Sequence, residues 1–133
     1  MNREENPKEW LRSAEDDRRV ARHLLEDAEY AACAFHCQQA VEKLLKAVIV
    51  KQTNQRPPHV HELRVLLEKI TGLEISAELA YSIARMDSYY VGSRYPLDVV
   101  DPGVFIRPLA ESAVQKTDEV FEWFLTRINF DNR

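Results

Sequence analysis

The chain has 133 residues, 45% of them hydrophobic and 30% charged, with three glycines and six prolines. That composition fits one all-α domain spanning 1–133 and excludes a disordered or fibrous chain. The net charge of −4 and sequence pI of about 5.6 argue against a broad cationic surface for duplex DNA. No apolar run approaches the ~18–20 residues of a membrane span, and the first residues lack a signal-peptide stretch, so the expected location is the cytoplasm.

Pro7 has the character of a first-turn proline, and from Lys8 to Ala28 the apolar residues Trp10, Leu11, Ala14, Ala21, Leu24 and Leu25 keep helical spacing. The stripe breaks at Asp27–Tyr30, and a second one, carrying Val41, Leu44, Leu45, Val48 and Ile49, runs to about Gln52. Pro57-Pro58 closes a loop over 53–58, because neither proline continues a helix. A short third helix is expected from near His61, with Gly72 past its end, and a fourth over Ser76–Tyr90 with Ser76 as N-cap. Gly92 and Pro96 then interrupt the chain. Asp101-Pro102 reads as the opening of a last helix burying Ile106, Leu109, Ala113, Val120, Phe121, Phe124 and Ile128, with Pro108 kinking or delaying its start. The expected fold is an up-and-down bundle of about five helices.

Helical projection sets polar residues on apolar faces. Gln38 and Glu42 fall in the arc of Val41, Leu45 and Ile49, and Asp17 falls between Ala14, Ala21 and Leu24. A buried carboxylate costs several kcal/mol unless it is paired, so each requires a partner. Arg18, Lys46, His61, Arg94 and Tyr95 are the candidates. The resulting network of Asp17, Gln38 and Glu42 is either a structural tie or the floor of a ligand cleft. His36, Gln39, Lys43 and Lys46 form a narrow polar stripe on the second helix, expected to face solvent or a second subunit. A second helix apolar over most of its circumference also predicts a homodimer.

Cys33 and Cys37, one helical turn apart, read as two buried thiols. A metal site through His36, or through His59 and His61, lacks a complete ligand set, so no metal or cofactor is expected.

Four segments carry a resemblance to a known family: Trp10-Leu11 with Ala14, Asp17, Ala21 and Leu24-Leu25; Ala34-Phe35-His36-Cys37-Gln38-Gln39-Ala40-Val41-Glu42-Lys43-Leu44-Leu45-Lys46-Ala47; Pro58 with His61, Leu63 and Leu66; and Arg94-Tyr95-Pro96. Together they resemble the HEPN family. The resemblance implies a helical bundle, dimerisation, and roles in nucleotide binding or toxin–antitoxin modules beside a separately encoded minimal nucleotidyltransferase.

HEPN members that are metal-independent ribonucleases carry an Arg-x(4–6)-His motif near the start of a late helix, where histidine moves a proton and arginine stabilises phosphate charge. Here the last histidine is His61, so the C-terminal half lacks the motif. Arg56 and His61 have a similar spacing but flank the Pro-Pro loop. The transferase's own Gly-Ser and Asp-x-Asp signature is also missing. The expected function is therefore non-catalytic: binding of a nucleotide or of a nucleotidyltransferase partner, with Arg94, Tyr95, Gln38, Lys46 and His61 as ligand-binding candidates. A ribonuclease toxin using Arg56 and His61, and a plain helical interaction module, are the alternatives.

Overall fold

The computed structural model describes residues 2–92 and 102–131. Its elements are α1 (Pro7–Glu26), α2 (Tyr30–Thr53), α3 (Leu63–Lys69), α4 (Ala77–Arg85), α5 (Asp87–Gly92) and α6 (Arg107–Leu125), with single 3-10 turns at Arg3–Glu5 and Pro102–Val104. The all-α bundle expected from hydrophobic periodicity is present.

The side-chain pairs fix the helix directions. Lys46 lies over Trp10 and His36 meets Asp17, so α1 and α2 are antiparallel. Asp118 accepts from Arg18 and Arg22 while Lys8 reaches Asp131, so α6 is antiparallel to α1 and parallel to α2. The three short helices α3, α4 and α5 supply the return pass, which preserves the up-and-down order.

Local chemistry sets the boundaries. The Asn6 side chain caps α1 through the Lys8 amide, and Pro7 fills its first position. Ala28, at φ 61°, turns the chain between α1 and α2, and Asn54, at φ 57°, ends α2 in the left-handed region that asparagine tolerates. The Ser76 hydroxyl accepts from the Leu79 amide at 3.1 Å, as an N-cap should.

Two expected boundaries are corrected and one is borne out. α3 starts near His61 as expected, at Leu63, where Asp87 accepts from the Leu63 amide and, at 3.3 Å, from the Arg64 amide. These two donors have no partner inside their own helix. The helix expected over 76–90 is broken at Met86, where the chain turns before α5. The last helix starts at Arg107, with Pro108 in its first turn, and Pro102 opens only a 3-10 turn. As a result Phe105 is buried in place of Ile106, which is 53% exposed. Asp101 lies outside the described residues.

α2 is the axis of the core. From Ala40 to Val50 every residue except Lys43 is buried, because α1, α3, α5 and α6 all pack against it. The expectation that a second subunit is needed to cover this helix is thus corrected: one chain covers it. Phe121 and Phe124 of α6, Leu63 and Leu66 of α3, and Ile83 of α4 complete the core with no exposed surface.

Burial pushes the Asp87 carboxyl above its ordinary range, and the Leu63 and Arg64 amides pull it back. Asp87 joins the short helices end to start. Asp87→Ala is expected to lower unfolding stability by about 1–2 kcal/mol, the range for losing a helix cap. A urea midpoint equal to that of the parent chain would contradict this role.

Candidate functional site

Of the polar residues that helical projection placed inside, Gln38 and Glu42 are buried and Asp17 is partly buried, its side chain 13% exposed, and they anchor two clusters on neighbouring parts of the α1–α2 pair. Glu42 is the centre of the first. Its side chain is 5% exposed, and both oxygens are occupied. Lys46 Nζ donates at 3.1 Å, His61 Nδ1 lies at 3.1 and 3.2 Å, and the Gln38 and Gln39 amides donate at 3.3 and 3.2 Å. An ionised carboxylate only accepts, so Nδ1 of His61 carries the proton. Gln38 also donates to the His61 carbonyl at 3.0 Å and accepts from Gln39 at 2.7 Å. His61 is thereby held by side chain and backbone alike, and with it the chain that leads into α3.

Lys46 is buried, its ammonium 5.5 Å from the Trp10 ring centroid, an arrangement favourable for a desolvated cation. Trp10 in turn donates its indole N–H to the Glu4 carbonyl at 2.9 Å. The cluster therefore ties α2 to α1 and to the 53–62 segment.

Asp17 forms the second cluster. His36 Nδ1 lies 2.9 Å from one oxygen and Lys43 Nζ 2.7 Å from the other. The Lys43 contact is an ion pair without hydrogen-bond alignment, and among the described residues that oxygen has no hydrogen-bond donor. Arg18, a candidate partner for Asp17, instead pairs with Glu15 and Asp118 and lies over Phe121.

The stripe of His36, Gln39, Lys43 and Lys46 is corrected accordingly. It is not simply a solvated face, because each member binds one of the two carboxylates. Lys46 is 7% exposed, whereas Lys43 and His36 keep 26% and 32%. Gln39, Lys43 and His36 are the residues that projection alone did not assign to the network. Their spacing of three and four opposite Asp17 and beside Glu42 was the available signal.

Aromatic rings border the Glu42 cluster. His61 stacks on Tyr90, with centroids 4.8 Å apart and planes 14° from parallel, and Tyr90 lies 5.7 Å from Phe35. The α2 face thus carries a half-exposed histidine ring, two further rings, and the partly exposed Gln39 and Lys43 above a charged floor. Of the expected ligand-binding residues, Gln38, Lys46 and His61 come together here. Arg94 and Tyr95 lie outside the described residues.

Arg56 and His61 are given different partners: Arg56 pairs with Glu4 at 3.1 Å, while His61 faces Glu42. The thiols of Cys33 and Cys37 are buried and free of disulfide, and their mutual hydrogen bond together with burial pushes the Cys37 thiol far up. Among the described residues, no three His, Cys, Asp or Glu side chains are placed to share a metal ion, and no helix is long and apolar enough to cross a membrane.

A helical bundle built on a buried, charge-bearing central helix defines a class of small all-α domain. The chain belongs to the HEPN family: the HEPN domain model matches residues 7–128. It is similar to TT1696 from Thermus thermophilus, with TM-score 0.84 and 26% identity over 96% of this chain and 100% of that one. It shares its fold with ST0689, an archaeal HEPN homologue, with TM-score 0.75 and 21% identity over 97% and 100% of the two chains. No curated protein matches the chain.

Removing the Glu42 carboxylate would strand the buried Lys46 ammonium. Glu42→Ala is expected to cost about 3 kcal/mol or more, measured by urea unfolding. A loss below ~1 kcal/mol, the level of an exposed pair, would contradict the buried-network account.

Proposed function

We propose that this HEPN protein is a non-catalytic subunit that forms a homodimer and uses the α2 face to bind a nucleotide or a minimal nucleotidyltransferase partner in a toxin–antitoxin-like module. The observation that carries the reading is the commitment of His61. Its Nδ1 faces a buried carboxylate that three other donors also hold, and its ring is stacked on Tyr90. A ribonuclease histidine needs an arginine beside it at the phosphate, and Arg56 is paired with Glu4 instead.

The binding role is supported by the surroundings of that histidine. Gln39, which shares Glu42 with His61, keeps partial exposure, and the His61–Tyr90 stack suits a planar base; Lys43 keeps partial exposure in its pair with Asp17. Arg94 and Tyr95 would complete the site with a guanidinium and a further ring. Homodimerisation is supported by Val104 and Ile106, two exposed apolar side chains in the approach to α6, which a second copy would cover.

Purified protein is expected to leave single-stranded and structured RNA intact; cleavage that disappears in His61→Ala would establish the ribonuclease alternative. In a thermal-shift series with nucleotides, with and without Mg²⁺, a ligand that binds only the folded chain raises the melting temperature. Arg94→Ala is expected to remove that shift while leaving the unliganded melting temperature nearly unchanged. A large drop in the unliganded value with the shift retained would make Arg94 a structural strut.

A further inference from the structure

A separate groove of about 530 Å³ lies between α4, the start of α5 and α6. Tyr81, Ser82, Arg85 and Tyr89 line it from α4 and α5, and Ser112 and Lys116 from α6, and among the described residues no carboxylate lines it. In a chain with 22 acidic and 18 basic side chains, a concavity whose described lining holds two cations and no acid is a local reversal of charge.

Arg85 differs from the arginines of α1. Arg12, Arg18, Arg19 and Arg22 all sit in ion pairs, whereas among the described residues Arg85 has none. Its guanidinium lies 5.8 Å from the centroid of the Tyr81 ring. Among the described residues Lys116 meets Glu119 alone, on its own helix, at 3.6 Å with both side chains about half exposed, and such a pair is readily exchanged for a better anion. Tyr81 itself is 65% exposed, with the Arg85 guanidinium over its ring.

We propose that this groove binds a small ring-bearing phosphate monoester. The phosphate sits between Arg85 and Lys116 and accepts from the Ser82 and Ser112 hydroxyls, and the ring packs on Tyr81 and the apolar wall formed by Met86 and Leu109. Two cations match the charge of a phosphate monoester dianion, and a guanidinium forks onto two of its oxygens. The volume is in the ~300–1,000 Å³ range of small-molecule sites. None of these residues belongs to α2, so the groove is independent of the face assigned above.

The test is an amide chemical-shift titration of the full chain with phenyl phosphate, inorganic phosphate and phenol in parallel. Phenyl phosphate is expected to give saturable shifts at residues 82, 85, 112 and 116, binding about tenfold or more tighter than either fragment. Arg85→Gln and Lys116→Gln should each weaken it by about tenfold, and Lys43→Gln should leave it unchanged. Absence of saturable shifts up to ~10 mM, equal binding of inorganic phosphate or phenol, or insensitivity to Arg85→Gln would overturn the proposal. Loss of binding in Lys43→Gln would move the ligand to the α2 face and equally overturn it.

Discussion

A carboxylate placed in the interior of the central helix constrains everything built around it. Glu42 is nearly inaccessible, and an ionised carboxylate in that position opposes folding by several kcal/mol unless donors replace the water it loses. Lys46 alone, one turn along the same helix, would satisfy it without linking anything to anything else. The other donors act differently. His61 arrives from the segment after Pro57-Pro58, and Gln38 grips the backbone of that same residue. Because Lys46 is in turn covered by Trp10, neutralising one charge fixes α1, α2 and the approach to α3 in a single arrangement.

Much of this architecture is legible in the chain itself. α1 and α2 follow from apolar spacing, Asn6, Pro7 and Ser76 mark helix starts through ordinary capping chemistry, and Gly72 takes a positive φ in the turn beyond α3. The inward positions of Asp17, Gln38 and Glu42 also follow from projection, since helical geometry fixes azimuth whatever the partner. What projection lacks is distance. It cannot tell that Arg18 and Arg22 turn to Asp118 at the far end of the chain, or that His36 and Lys43 turn inward to Asp17. The break at Met86 is hidden for a similar reason: 76–90 has a continuous apolar pattern, and the tertiary bond from Asp87 to the start of α3 decides where the helix stops.

The same distinction separates fold from function in the HEPN assignment. The block over 34–47 carries core residues together with the α2 members of the two polar clusters, so resemblance there reflects packing as well as any site. Buried residues whose side chains are committed to the network, such as Gln38 and Lys46, are parts of the frame. Those with partial exposure, His36, Gln39, Lys43 and His61, are the ones a ligand or partner can reach. The functional reading rests on this second group, and the candidate cleft is therefore an upper rim of polar and aromatic side chains on a floor that is already satisfied.

The account depends on Glu42 and Lys46 acting as one buried unit. A double-mutant cycle with Glu42→Gln, Lys46→Met and the double variant, read by urea unfolding at neutral pH, isolates their interaction from the separate cost of each change. We predict a coupling of about 2 kcal/mol or more, with the double variant more stable than Glu42→Gln alone because no unpaired ammonium remains buried. Additive effects, with coupling within ~0.3–0.5 kcal/mol of zero, would show that the two groups are independently solvated and would contradict the account.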